Sequence, residues 1–281
     1  HLPLRRSPTA HKYTQGHLLL IAGSRQYSGA VILAALGARA SGVGMVTIAA
    51  PESLKPILTS QLPEALVVGC PETASGAIAQ LPEALDFTRY GAIACGPGLS
   101  LEPDSLLRAV LASSVPLVLD ADGLGMLAAH HWVDLLAERA APTVLTPHPG
   151  EFQRLFPDLT DCECRILAVQ HAAARTGAIV LLKGARVAIA DGATTWINPE
   201  STPALARGGS GDVLTGLLGG LVAQAWKAAP GAGLLDTVQA GAGWHAQAGI
   251  LAAQERTELG VDALTLTDYL LPSLRRWQRP V

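Results

Sequence analysis

The stretch HLLLIAGSRQYSGAVILAALGARASGVGMVTIAA, residues 17–50, predicts a strand, a helix and a second strand in direct succession. Its two ends, HLLLIAG and MVTIAA, are short and almost wholly apolar, as strands are when both faces of their sheet are covered. The run between them, GAVILAALGARASG, ends at Gly42, a residue type that commonly terminates helices. A unit of this kind builds a parallel sheet.

Six further runs repeat the strand pattern: ALVVGC, GAIACG, PLVLDAD, TVLTPH, AIVLLKG and VAIADG. Helix candidates such as LEPDSLLRAVLASS separate many of them, so we predict an α/β fold with a mainly parallel central sheet flanked by helices. The segment VLLKGARVAIADGATTWIN departs from this order, because two or three strands follow one another through turns at Gly184 and at Asp191 and Gly192. This segment predicts a small antiparallel edge.

The last quarter of the chain, from Asp212 onward, is predicted to be helical. Apolar residues recur at helical spacing from Asp212 onward, and TVQAGAGWHAQAGILAAQE predicts another buried helix. A chain of 281 residues is long enough for one large domain or two small ones. We find no repeat of fixed period and no low-complexity linker, so we predict a single domain over residues 1–281.

The charge composition of the chain indicates which kinds of molecule it binds. The net charge is −3 and only 15% of the residues are charged, which gives no basic stripe for nucleic acid or an anionic membrane. We therefore expect a small-molecule partner, with no nucleic acid and no membrane. No apolar run reaches the roughly 18 residues of a membrane helix, and no signal pattern opens the sequence, so a cytoplasmic location is expected.

The cysteines do not predict a metal site. Cys70, Cys95, Cys162 and Cys164 match no zinc-ligand spacing, and we expect unpaired thiols.

Ligands of an open parallel sheet bind beyond the carboxyl ends of its strands. Polar or glycine-rich segments follow the predicted strands there: AGSRQYSGA, CGPGLS, DADGL, TPHPGE and KGARVAI. Further along, ARGGSGDVLTGLLGGL places a glycine turn before a helix, and the free N–H groups of such a helix start suit a phosphate. Asp212 is then either a general base for a hydroxyl attacking phosphorus or a simple helix cap.

The other polar residues also have two interpretations each. His148 is either a ligand-binding residue or a structural histidine, Glu151 either a functional acid or a helix-starting charge, and Lys183 either a site residue or a surface lysine at a strand end. Asp120 and Asp122 either hold a divalent metal or cap the next helix, with both side chains on one face if the strand persists. The sequence contains no GxxxxGK[ST] motif, which argues against a P-loop nucleotide site.

Several segments, taken in order, resemble one family: GHLLLIAGSRQYSGAVILAALGARASGVGMVTIA, CGPGLS, LVLDADGL, LTPHPGEFQRL, VLLKG and GGSGDVLTGLLGGLVAQ. These are similar to the ADP/ATP-dependent NAD(P)H-hydrate dehydratases, whose fold is ribokinase-like, from about residue 16 to about residue 254. TPHPGE is the most discriminating segment, because sugar and vitamin kinases of the superfamily usually carry an asparagine at the position of His148.

The resemblance implies a repair reaction. Hydrated NADH or NADPH of the S epimer is returned to the normal cofactor by phosphorylation of the C6 hydroxyl and elimination of phosphate, with Mg²⁺ and with ADP or ATP as donor. The chain looks most like bacterial members, which favours ADP. A small-molecule kinase and a catalytically silent nucleotide-binding module are the alternatives.

The resemblance also implies site residues. Asp212 corresponds to the base that contacts the substrate hydroxyl, and the substrate-binding positions correspond to Ala30, Gly98 and His148. The nucleotide-binding positions correspond to Lys183, Gly184, Ala185, Arg186, Val187, Gly209, Ser210 and Gly211. Glu151 corresponds to a metal-organising acid acting through water, and Asp122 is a second acid by position.

The family commonly forms homo-oligomers, so a homo-oligomer is expected. It also often occurs fused behind an epimerase domain, for which these 281 residues leave no room, so the chain is a candidate fragment of a longer fusion. The stretch NPESTPALARGGSGD departs from a common family pattern, TGNPGLATGGSGD, by placing Glu200 and Arg207 before the glycine turn. Glu200 adds charge where a phosphate-bearing ligand would pass, and Arg207 is expected to offset it.

Overall fold

A computed structural model gives the fold of residue 2 and residues 6–102, 104–159 and 164–275. Nine strands in these residues form one sheet: β1 His17–Ile21, β2 Met45–Pro51, β3 Leu66–Cys70, β4 Ala92–Cys95, β5 Leu117–Leu119, β6 Thr143–Leu145, β7 Ile179–Leu182, β8 Ala188–Ala190 and β9 Thr195–Ile197. The α-helices of the same residues are α1 Ser28–Ala40, α2 Lys55–Gln61, α3 Asp104–Leu111, α4 Ala121–Ala129, α5 Pro149–Leu155, α6 Arg165–Thr176, α7 Ser210–Ala228, α8 Leu235–Arg256 and α9 Ala263–Leu274.

The strand order is β3-β2-β1-β4-β5-β6-β7-β8-β9. Strands β1 to β7 are parallel, whereas β8 and β9 each pair antiparallel with the preceding strand. The predicted mainly parallel sheet with a small antiparallel edge is therefore confirmed. The direction of winding reverses between β1 and β4, and a reversal of this kind opens a crevice at the carboxyl ends of the two strands.

Strand β1 shows how the sheet is covered on both sides. Leu18 and Leu20 lie in one apolar core with residues of α1, α2, α7 and α8, whereas Leu19 and Ile21 lie in a second core with residues of α3 to α6. All four side chains are fully buried. Alternate residues of a strand point to opposite faces, which explains why the run is apolar throughout.

Helix α7 carries the glycine turn and packs closely on α1. A Cβ on Gly216 would lie 1.7 Å from the carbonyl oxygen of Ala34, and one on Gly37 would lie 2.1 Å from the carbonyl oxygen of Val213. The two backbones therefore approach in a way that only glycine permits. This contact holds α7 close against α1.

The cysteines and the helices bear on two further expectations, unpaired thiols and the absence of a membrane helix. Cys70, Cys95 and Cys164 are free thiols, and Cys162 lies outside the described residues. Among the helices of the described ranges, none combines the length and apolar character needed to cross a bilayer.

Candidate active site

The glycine turn before α7 leaves two backbone donors free. Gly209 has φ 91°, in the left-handed region, and a Cβ there would lie 2.5 Å from Leu33 and 2.8 Å from Ala263, so the position requires glycine. The next two amides of the helix, those of Gly211 and Asp212, have no backbone acceptor within the described chain. Unpaired amides at a helix start attract anions, as the sequence predicted.

Asp212 lies beside these amides but does not cap the helix. The N-cap residue is Gly209, and Asp212 is the third residue of the helix. The helix-cap interpretation of Asp212 is therefore wrong. Burial and the negative charge of Asp120 raise the pKa of Asp212 to about 7, although the Lys183 ammonium lowers it. A carboxyl group with a pKa near neutrality is suited to general base catalysis.

This raised pKa predicts a pH-dependent cost to stability. The unfolded carboxyl group ionises near pH 3.8, whereas in the folded state Asp212 keeps its proton to about pH 7, so the penalty grows between these values. We expect Asp212→Asn to be more stable than the parent protein by about 2 to 4 kcal/mol above pH 7, with a much smaller gain near pH 4. Urea unfolding of both proteins at pH 4, 6 and 8 measures this, and a pH-independent difference would contradict the raised pKa.

Asp120 and Lys183 form a buried ion pair at the carboxyl ends of β5 and β7. The Lys183 Nζ lies 2.7 Å from Oδ1 of Asp120, and the hydroxyl of Thr215 donates to the other carboxylate oxygen at 2.5 Å. Burial lowers the pKa of Lys183, but the carboxylates of Asp120 and Glu151 more than offset this, so its pKa is raised and it is charged. Lys183 is therefore a charged residue held in place by Asp120, and not a surface lysine.

The two aspartates after β5 do not share a face. The strand ends at Leu119, Asp120 takes the position before α4 without a cap hydrogen bond, and Asp122 lies in the first turn of that helix. Asp122 instead accepts a hydrogen bond from the backbone N–H of Ser100 at 2.9 Å. The cap interpretation is therefore wrong, because each carboxylate has another partner.

His148 and Glu151 form a capping box at the start of α5. The Nδ1 of His148 accepts from the backbone N–H of Gly150 at 3.0 Å and of Glu151 at 3.2 Å. In return, a carboxylate oxygen of Glu151 accepts from the backbone N–H of His148 at 2.7 Å. His148 and Glu151 therefore both have a structural role at the start of α5, and this role leaves a further role in the site open. Because Nδ1 is an acceptor, the neutral ring carries its hydrogen on Nε2, and half of the side chain remains exposed.

Asp212 lines neither of two nearby cavities, but each cavity is lined by a charged residue that interacts with it. The first, of about 770 Å³, is lined by His148, Glu151 and Asp122, with Leu101 and small residues of α4 beside them. Asp212 interacts electrostatically with Asp122 on this side and with Lys183 on the other, where the second cavity begins. The carboxyl group therefore has charged neighbours in the linings of both cavities.

The second cavity, of about 440 Å³, contains most of the predicted nucleotide-binding strip. Its lining comprises Lys183, Gly184, Ala185 and Val187 after β7, residues 200–203 and 205–206, Ser210, Gly211 and Leu214 of α7, and Ala242, His245 and Ala246 of α8. A Cβ on Gly211 would lie 3.4 Å from the Lys183 Nζ, so the free amide and the ammonium are neighbours. Arg186 and Gly209 are not among the lining residues.

Ala30 and Gly98 are brought together at the crevice between β1 and β4. A Cβ on Gly98, which has φ 65°, would lie 2.9 Å from the Cβ of Ala30 and 2.8 Å from that of Tyr27. Neither residue lines the 770 Å³ cavity, but Ser100, two residues after Gly98, donates to Asp122, which does. The two predicted substrate positions are thus adjacent to one another and one loop away from His148.

Metal ligands are few in this site. The described residues contain no group of three or more His, Cys, Asp or Glu side chains arranged to hold an ion. Asp122 and Glu151 nevertheless line the same cavity, and Mg²⁺ is usually bound through one or two carboxylates together with waters and substrate phosphates. The donor set fits a hydrated Mg²⁺ and does not fit a metal that needs a complete protein cage.

Sequence reasoning pointed to Glu200 but missed Thr215, His245 and the other lining residues before α7, at positions 201–203, 205 and 206. Thr215 lies three residues after Asp212 and therefore on a neighbouring face of α7, a spacing that identifies it as a candidate once Asp212 is chosen. No comparable signal exists for His245, whose partner Ser210 is 35 residues away. The expectation for Arg207 is not met, because its guanidinium donates to the Leu259 carbonyl at 2.6 Å and not to Glu200.

Comparison with known proteins agrees with this geometry. The family model described as NAD(P)H-hydrate dehydratase matches residues 18–272. The bifunctional NAD(P)H-hydrate repair enzyme Nnr of Synechocystis sp. is 58% identical over 280 residues, covering 99% of this chain and 52% of the relative. The ADP-dependent (S)-NAD(P)H-hydrate dehydratase of Lactiplantibacillus plantarum is 36% identical over 233 residues, covering 79% of this chain and 77% of that protein.

Solved structures give the same fold. The ADP/ATP-dependent NAD(P)H-hydrate dehydratase of Bacillus subtilis, co-crystallised with ATP and Mg²⁺, has a TM-score of 0.78 at 32% identity, covering 98% of this chain and 94% of that one. A ribokinase-like superfamily protein of Enterococcus faecalis has a TM-score of 0.79 at 24% identity, covering 98% and 92%. The chain spans about half the length of the first curated relatives it matches. Because the family model covers almost the whole chain, this protein belongs to the NAD(P)H-hydrate dehydratase family.

Proposed function

We propose that the protein uses a nucleotide to dehydrate the S epimer of hydrated NADH or NADPH and so restores the normal cofactor. The observation that carries the proposal is Asp212, whose pKa is raised to about 7 and whose charged neighbours Lys183 and Asp122 line the two cavities. A base in that position can take a proton from a hydroxyl in one cavity while the hydroxyl attacks phosphorus in the other.

The chemistry explains why a nucleotide is needed. Hydroxide is a poor leaving group, whereas phosphate is a good one. In the first step the C6 oxygen loses its proton to Asp212 and bonds to the terminal phosphorus of the donor, and the bond from phosphorus to the bridging oxygen breaks. In the second step the ring nitrogen lone pair expels phosphate from C6, and C5 loses a proton to restore the double bond.

We place the phosphate donor in the 440 Å³ cavity, because its apolar walls suit a nucleobase and Lys183 and Gly211 suit the phosphates. The nucleotide-binding assignment covers Lys183, Gly184, Ala185, Arg186, Val187, Gly209, Ser210 and Gly211. Among these, the amide of Gly211 and the Lys183 ammonium would stabilise charge on the transferring phosphoryl group. We propose ADP as the preferred donor and ATP as the less favoured one.

The hydrated cofactor is placed in the 770 Å³ cavity and the adjoining crevice, in contact with His148, Gly98, Ala30 and Asp212. His148 would donate its Nε2–H to the substrate, because Nδ1 is occupied by the helix start. Glu151 would organise Mg²⁺ through water, with Asp122 as a second acid. When bound there, Mg²⁺ would neutralise phosphate charge.

Three further proposals concern the setting of the protein. We propose a cytoplasmic location, where NADH and NADPH are used, and a homo-oligomeric assembly. We also propose that the domain over residues 1–281 works together with an epimerase domain, consistent with relatives that are named as bifunctional.

The direct test is recovery of the near-ultraviolet absorbance of dihydronicotinamide from hydrated NADH, with Mg²⁺ and with ADP or ATP supplied separately. Recovery with a nucleotide and none without one is the expected result. A stable phosphorylated product without recovery would instead identify a kinase. Absence of turnover with either nucleotide, despite nucleotide binding, would identify a silent binding module.

The two roles of His148 can be separated by substitution. Asparagine is a good helix cap but lacks the Nε2–H donor. The free energy of unfolding of His148→Asn should therefore lie within about 0.5 kcal/mol of that of the parent protein. Its KM for the hydrated cofactor should rise about tenfold, the usual loss for one hydrogen bond to a ligand. His148→Ala, the matched comparison, should lose about 1 kcal/mol of stability in addition. An unchanged KM in His148→Asn would restrict this histidine to its capping role.

A further inference from the structure

A buried histidine of α8 contacts the glycine turn from behind. The Nε2 of His245 lies 2.9 Å from the carbonyl oxygen of Ser210, the first residue of α7. His245 is only 7% exposed and lies in a helix whose neighbouring residues, Ala242 and Ala246, also line the 440 Å³ cavity. The general base, the metal and the substrate assignments of the proposed function do not use this side chain.

The direction of this hydrogen bond is fixed by its partner. A carbonyl oxygen can only accept, so the hydrogen lies on Nε2 of His245. Burial lowers the pKa of His245 to about 4, so the ring is neutral at physiological pH and the contact is a hydrogen bond between neutral groups. The interaction is therefore present over the whole pH range in which the proposed base Asp212 titrates.

The accepted carbonyl belongs to the same planar peptide unit as the free amide of Gly211. Within a trans peptide the C=O and N–H bonds point in opposite directions, so holding the oxygen on one side fixes where the N–H points on the other. The Ser210 hydroxyl is also occupied, because it donates to the Leu205 carbonyl at 2.7 Å. The Ser210 carbonyl is thus held by His245 in addition to its place in the hydrogen-bond ladder of α7, and the Ser210 side chain is fixed separately.

We propose that His245 is a positioning residue that orients the Ser210–Gly211 peptide so that the Gly211 N–H meets the transferring phosphoryl group. The inference rests on the proposed function, because it assumes that this amide stabilises a phosphoryl group in transfer. An oriented donor contributes most where charge develops in the transition state, since it needs no reorganisation during the reaction. His245 would then affect kcat and the binding of the transferred phosphate more than the binding of the rest of the nucleotide.

The kinetic test compares His245→Leu, which removes the donor, with His245→Gln, whose amide Nε2 can reach the same carbonyl. We expect kcat to fall about 10- to 100-fold in His245→Leu and to stay within about fivefold of the parent in His245→Gln, with KM for hydrated NADH nearly unchanged in both. Equal losses in the two variants would overturn the proposal, as would a normal kcat in His245→Leu.

Trp244→Phe is the matched control for loss of a buried hydrogen bond in the same helix. The Trp244 indole N–H donates to the Leu270 carbonyl at 2.6 Å, and its side chain is 2% exposed and does not line either cavity. Trp244→Phe should lose thermal stability as His245→Leu does, yet keep its kcat. If both variants lose kcat in proportion to their loss of stability, the effect is structural and the positioning role is excluded.

A binding measurement separates this inference from the proposed function. Calorimetry should show that His245→Leu weakens ADP about 3- to 10-fold and AMP less than twofold, because AMP lacks the transferable phosphate. This result does not depend on turnover of hydrated NADH. Parent protein that binds ADP but turns over no hydrate would refute the proposed function, whereas equal weakening of ADP and AMP would refute the role of His245.

Discussion

Replacing Asp212 with asparagine is expected to lower kcat for the dehydration of hydrated NADH by roughly 10²- to 10⁴-fold, the usual scale for loss of a general base. The amide has nearly the same shape but cannot take a proton from the attacking hydroxyl. ADP affinity should change little, because the substitution leaves in place the free amides and Lys183, which we propose to contact the phosphates. Steady-state kinetics together with calorimetry measures both quantities.

The pH profile gives the same assignment a second readout. In the parent protein, kcat/KM should rise with pH and level off above about pH 7, because the base must be ionised and burial holds the pKa of Asp212 near that value. The residual activity of Asp212→Asn should lack this step. Asp236→Asn is a suitable control, since Asp236 is an acid in the first turn of α8 and lines neither cavity. A near-normal kcat in Asp212→Asn would refute the assignment.

Replacing Lys183 with methionine is expected to lower the free energy of unfolding by about 3 kcal/mol and to abolish measurable ADP binding. The substitution leaves the carboxylate of Asp120, which is 1% exposed, without its counter-charge at 2.7 Å. Removal of one partner of a buried pair is costly because the remaining charge stays out of water. The ammonium that lines the 440 Å³ cavity, and that we propose to contact the nucleotide phosphates, is lost at the same time.

A double-mutant cycle tests whether the loss arises from the pair. Asp120→Asn in the Lys183→Met background removes the uncompensated charge, so the double variant should be more stable than Lys183→Met alone, with a coupling of at least about 1 kcal/mol. Urea unfolding of the four proteins gives this value. Additive losses would mean that Lys183 contributes through packing and not through its charge, and ADP binding should stay absent in both variants that lack the ammonium.

The secondary structure was largely predictable from local patterns. Runs such as AIVLLKG and VAIADG became β7 and β8, and the turn residues between them produced the antiparallel edge. These features depend on neighbours in sequence, because side-chain periodicity and turn conformation are properties of a few consecutive residues. The glycine turn before α7 was predictable for the same reason, since its left-handed backbone at Gly209 requires glycine locally.

Local patterns could identify the candidate residues but could not decide between their alternatives. The cap interpretation of Asp212 was a reasonable expectation for an acid near a helix start, and only the structure shows that Gly209 takes the cap position. For His148 the structure shows that Nδ1 accepts the hydrogen bonds of the helix start, while Nε2 lies 3.5 Å from a carboxylate oxygen of Glu151 on a half-exposed side chain. Such questions depend on which atom faces which neighbour.

The sequence by itself determined the α/β architecture, the glycine turn that leaves two amides free, and the set of polar residues at the ends of the strands. The tertiary structure alone decided which of these residues meet: Lys183 with Asp120 across 63 positions, Thr215 with Asp120 across 95, and His245 with Ser210 across 35. The physical reason is that hydrogen bonds and charge interactions act over a few ångströms of space, whereas a sequence records only distance along the chain. The raised pKa of Asp212 is a consequence of those contacts and of burial, and it therefore exists only in the folded protein.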